Sequence, residues 1–122
     1  MSKYDDYVTC EQLLLVSGFR LDVKREILPK TLFSNRYMKD DNIAVTMHFA
    51  PDKNYCDMTL GINYSGEKNG WELIASTFVN KGDRFPFNVD KEAFLRVVCN
   101  FPYTEIEKEF RKMEIENTLR VL

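Results

Sequence analysis

The sequence predicts an α+β domain: three to four antiparallel strands in a meander, with one N-terminal and two C-terminal helices packed on it. Three observations carry this. Ile43, Val45, Met47 and Phe49 alternate with Ala44, Thr46 and His48, and Cys56, Met58, Leu60, Ile62 and Tyr64 alternate with Asp57, Thr59, Gly61 and Asn63. A period of two marks strands with one buried face. Phe94, Val97, Val98 and Phe101 recur at helical spacing behind Asp90, a good N-cap. Thr9 and Thr104 each open a box in which Gln or Glu follows three residues later, a helix-start signal.

The 122 residues form one domain, 1–122, because no repeat, low-complexity tract or Pro/Gly/Ser linker divides them. Apolar residues are 44% of the chain and charged residues 30%, a globular composition. A chain of this length buries roughly two-thirds of its unfolded surface, enough for a core without staples.

The first helix is expected over residues 10–17, capped by Thr9, with Val8 and Leu13 as a hydrophobic staple and Gly18 as its left-handed stop. Residues 20–39 are the least legible stretch. Pro29 interrupts any helix begun at Asp22, and Thr31-Leu32-Phe33 reads as a short strand. Residues 43–49 and 56–64 then form a hairpin around the turn-rich 50–55, and residues 71–79 form a third strand. Pairing Phe49 with Cys56 sets Met47 opposite Met58, Val45 opposite Leu60 and Ile43 opposite Ile62. Pairing Tyr64 with Trp71 continues that face through Ile62–Leu73 and Leu60–Ala75, and the helices are needed to cover it. After a turn at 80–83, Phe85, Phe87 and Val89 around Pro86 suggest an edge strand, where a strand proline is tolerated. Pro102 separates the last two helices.

Several function classes find no support. No apolar run approaches the roughly 20 residues of a membrane span, and the start, Met1-Ser2-Lys3-Tyr4-Asp5-Asp6, lacks the basic and apolar regions of a secretory signal. A cytoplasmic location is expected, with Cys10, Cys56 and Cys99 as buried thiols. No paired-ligand spacing suggests a metal, no Gly-rich loop suggests a nucleotide, and no cofactor is expected. His48 is the only histidine, so imidazole-based catalysis depends on it. In the register above it faces Asp57, which reads as a surface ion pair before it reads as an acid–base site, and no catalytic residue is assigned.

Two constellations point to binding. The non-core face expected from Ala44, Thr46, Thr59, Gly61, Asn63 and Ser76 is small and free of Lys and Arg, and Ile74, Phe78, Phe85 and Phe87 would join it. In the last helix, Ile106, Phe110 and Met113 lie on one side, while Ile115, Leu119 and Leu122 lie nearly opposite at 100° per residue. Ile74, Phe78, Phe85, Phe87, Ile115, Leu119 and Leu122 are therefore the expected protein interface.

The expectation is a small non-enzymatic intracellular protein that works through protein–protein contact, as an adaptor, inhibitor or regulator. A compact, motif-poor chain of this kind suits a virus or mobile element, and a homodimer is one way to cover its surplus apolar surface. The alternative is a binder of anionic ligands or nucleic acid that uses Arg20, Lys24, Arg25, Lys30 and Arg36. Against nucleic acid stand the formal charge of −2 and the early Pro29, which leaves no room for a groove-reading helix.

Overall fold

The computed structural model describes residues 3–78 and 84–121, with side chains through residue 116. Helix α1 (Tyr7–Val16) is followed by six strands, β1 (Arg20–Leu28), β2 (Leu32–Lys39), β3 (Ile43–Ala50), β4 (Tyr55–Asn63), β5 (Trp71–Ser76) and β6 (Phe87–Asn88). Helices α2 (Lys91–Asn100) and α3 (Ile106–Val121) close the chain. The strands form one sheet in chain order; the first five are antiparallel, and β6 runs parallel to β5. The α+β class and the three helices are as expected, but the sheet has six strands and not three or four.

The extra strands come from residues 20–39, which fold as the hairpin β1–β2. Pro29 is the corner of its turn and breaks no helix. Lys30 follows at φ 61°, and the Thr31 amide donates to the Leu28 carbonyl at 3.1 Å. Proline at the first corner with a positive φ at the second is type II geometry. β2 reverses into β3 through Asp40 and Asp41, both at positive φ (54° and 58°), the primed turn that suits a tight hairpin.

The β3–β4 register pairs Phe49 with Cys56, Met47 with Met58, Val45 with Leu60 and Ile43 with Ile62, as the alternation requires. The next register agrees at Leu60–Ala75 and then departs. A bulge between Leu60 and Gly61 sets Gly61 against Leu73, Ile62 against Glu72 and Asn63 against Trp71. The extra residue turns Ile74 into the core, 2% exposed, and turns Leu73 out, 45% exposed.

Helix α1 begins one turn before the expected site. Asp6 is its N-cap and accepts from the Val8 amide at 3.0 Å, while Thr9 sits inside the first turn with its hydroxyl on Asp6. Val8 and Leu13 are exposed and form no staple. The helix stops at Gly18, φ 102°, where the Phe19 amide reaches back to the Leu14 carbonyl. Asp90 caps α2 through the Ala93 amide at 2.7 Å. A 3₁₀ turn over Tyr103–Glu105 leads into α3, so Thr104 lies in that turn and does not act as a side-chain cap.

The helices cover the inner face of the sheet, with α1 on α2 and α2 on α3. Leu14, Phe94, Val98 and Phe110 are fully buried with Met47, Met58 and Leu60 in one cluster. Phe87 joins it with its ring 5.7 Å from Phe110. Ile74 and Phe87 are thus core residues and do not belong to an outer patch. A parallel β6 that points Phe87 at α3 is the reason.

Candidate functional site

Helix cover stops short of β1. Every residue of that strand is exposed or half-buried, although its partner β2 carries buried Asn35, Tyr37 and Met38. A groove of about 550 Å³ results. Tyr7 and Glu11 of α1 form one wall, Lys24, Arg25 and Glu26 of β1 the other, and Phe33, Asn35, Phe49 and Pro51 line the rest. Its size falls in the range of roughly 300–1,000 Å³ typical of binding sites.

The floor is aromatic and ordered. Tyr7 stacks on Phe49 at 4.3 Å and Phe33 stacks on Phe49 at 5.4 Å, with interplanar angles of 14° and 20°. Beside them the Tyr37 phenol donates to the Glu11 carboxylate and accepts from Asn35 Nδ2 at 3.2 Å. Burial, and next the Glu11 carboxylate, push the phenol well above its ordinary pKa, so it remains a donor and holds Glu11 in place. Sequence reasoning missed this groove. Its residues come from five separate segments, of which only Phe33 and Phe49 read as strand in the sequence.

The five basic candidates do not converge. Arg20 pairs with Asp41 at 2.7 Å, Lys24 lines the groove, and Lys30 stands at the hairpin turn. Arg25 and Arg36 alone meet on the outer face, because Arg25 pairs with Ser34, and Val23 pairs with Arg36, itself opposite Thr46. Val23, Arg25, Ser34, Arg36 and Thr46 line a second cavity of about 220 Å³. The outer face therefore carries two arginines. The expectation that it lacks Lys and Arg fails because β1 and β2 extend it beyond β3.

His48 does face Asp57, but they do not form the expected ion pair. Asp57 accepts from the Thr77 hydroxyl at 2.9 Å, and that oxygen accepts from the Met58 amide at 2.9 Å. His48 Nδ1 is buried without a partner, and the Phe78 ring lies 6.1 Å from the imidazole. Burial lowers the His48 pKa against the opposing pull of the Asp57 charge, so the ring is neutral near pH 7. No hydroxyl or thiol nucleophile is hydrogen-bonded to it among the described residues.

The expected interface residues separate. Ile74 and Phe87 are buried at 2% and 5% exposure, while Phe78 and Phe85 are half-buried. Ile115 is exposed, opposite the buried Ile106 and Phe110, as the helical spacing implied. The side chains of Leu119 and Leu122 lie outside the described residues. The turn expected at 80–83 lies outside them too.

Cys10 and Cys56 are fully buried, and the Cys10 thiol donates to the Tyr4 carbonyl at 3.2 Å. Cys99 is half-buried, and burial raises its pKa. Among the described residues no group of three or more His, Cys, Asp or Glu could hold a metal ion, and no helix is long and apolar enough to cross a membrane.

The fold and these two sites define an α+β protein with an open groove beside its first strand and a cationic pocket behind it. Comparison with protein-family models, with curated proteins and with solved structures finds no match to this chain.

Proposed function

We propose that the protein works by protein–protein contact, holding an extended segment of a partner protein in the groove between α1 and β1. The observation behind this reading is the uncovered inner side of β1 over an aromatic floor. Leu21, opposite Tyr37 on that side, is 38% exposed beside the groove. Covering the part of such a side chain that is still exposed contributes on the order of 0.5–1 kcal/mol.

The partner enters by the face and does not add a strand to the β1 edge. That edge carries Arg20, Asp22, Lys24, Arg25 and Glu26 and two register breaks. Charges and bulges are how sheet edges resist pairing with another strand. A fitting segment carries an apolar side chain for the Phe33–Phe49 floor and a basic one to meet Glu26. The protein then acts as an adaptor, inhibitor or regulator whose partner sets the outcome. A cytoplasmic setting suits the buried thiols.

The test places a photo-reactive phenylalanine analogue at position 21, and at the exposed position 112 of α3 as control. The partner crosslinks from position 21 and not from 112, and its recombinant form loses binding to Phe33→Ala while the variant's melting temperature holds. Crosslinking only from 112, or unaltered binding by Phe33→Ala, removes the groove from the function.

A further inference from the structure

We propose that the outer face of the sheet is a binding site for a phosphomonoester dianion, held between Arg25 and Arg36. This goes beyond the groove, which opens on the other side of β1 and β2 and shares only Arg25 with the second cavity. Strand pairing builds the site: Arg25 sits beside Ser34, and Val23, Arg36 and Thr46 form the next row across β1, β2 and β3. These five residues line one cavity.

Most of its donors are unspent. Arg25 makes no ion pair among the described residues, and neither the Ser34 nor the Thr46 hydroxyl has a hydrogen-bond partner there. Arg36 reaches Asp22 through Nε at 3.0 Å and Nη2 at 2.6 Å, both to the same oxygen, Oδ2. Of the five guanidinium N–H groups, those on Nη1 stay available. Two guanidinium forks and two hydroxyls match the acceptor-only oxygens of a phosphate, and charge-assisted bonds of this kind are about twice as strong as neutral ones.

Size and lining select the ligand. The cavity of about 220 Å³ equals roughly seven water volumes at ~30 Å³ each, room for a phosphate and the first atoms of its ester. No aromatic ring lines it, so a nucleobase finds no stacking platform. The formal charge of −2 also opposes a polyanion. A small phosphate ester fits where a nucleic acid strand does not.

Asp22 gives the site a distinctive signature. Its carboxylate already holds one edge of Arg36, so it competes with any incoming anion. Removing its charge should tighten phosphate binding, whereas a purely structural ion pair would yield only a change in stability.

The experiment titrates uniformly ¹⁵N-labelled protein at about pH 7.5, where a phosphate ester is close to dianionic. The probes are inorganic phosphate and glycerol phosphate, with sodium chloride at matched ionic strength as control. Both phosphates should give saturable shifts at the Arg25 and Arg36 Nε–H signals and at the Ser34 and Thr46 amides. Arg25→Gln should weaken binding at least tenfold, Asp22→Asn should strengthen it several-fold, and Phe33→Ala should leave it unchanged. Should Arg25→Gln fail to fold, Ser34→Ala combined with Thr46→Val serves instead. Equal shifts with chloride, inorganic phosphate binding without glycerol phosphate, an unaffected Arg25→Gln, or weaker binding by Asp22→Asn would each overturn the proposal.

Discussion

His48 and Asp57 face each other across β3 and β4, yet the carboxylate takes its hydrogen bond from Thr77 and leaves His48 Nδ1 buried without a partner. Cross-strand pairing put the two residues side by side. The chain after β5 then supplied a competing donor, and a hydroxyl already fixed by the Met58 amide needs no proton transfer to satisfy Asp57.

This arrangement sets a pH dependence. The His48 pKa is lowered in the folded protein from an ordinary 6.5, so below that pH the unfolded chain takes up a proton that the folded one refuses. Stability from this group is complete above about 6.5 and is lost as pH falls toward the folded pKa. Denaturant midpoints measured at pH 7.5 and 5.5 should differ more for the wild type than for His48→Gln. Equal differences would mean that His48 protonates as readily folded as unfolded.

Thr77→Val keeps the shape of the side chain and removes its oxygen. The Met58 amide then loses its acceptor next to a fully buried side chain, and an unsatisfied buried N–H costs roughly 1–3 kcal/mol. Thr77→Ser, which retains the hydroxyl, should recover most of the loss in urea unfolding.

Leu60 is 0% exposed at the centre of the inner face, between Val45 and Ala75. Leu60→Ala should destabilise the protein by about 2–5 kcal/mol, the range for deleting a buried leucine. Leu73→Ala, on an exposed residue of the next strand, should cost far less in the same assay.

Ile115 is 55% exposed on α3. Ile115→Glu should shift the unfolding free energy by no more than about 0.5 kcal/mol, as surface substitutions do. A loss of several kcal/mol would show that this stripe packs within the chain and cannot serve as a contact for another molecule.

The alternation along β3 and β4 determined their pairing residue by residue, because one face of each is buried and a slip of one position would expose every apolar side chain. Gly18 and Asp90 marked helix ends for an equally local reason, a backbone conformation at one and a cap at the other. Residues 20–39 lacked such a signal. Both sides of β1 meet water, so nothing selects an alternating pattern there, and two register breaks disturb what alternation remains. Tertiary structure alone decided the rest. It set the bulge that turns Ile74 inward and Leu73 outward, and it ran β6 parallel so that Phe87 meets Phe110. It also left the inner side of β1 without helix cover and brought Arg25 and Arg36 to one cavity. Contacts of this kind join residues distant in the chain, and their geometry follows from how whole elements pack, which no local pattern encodes.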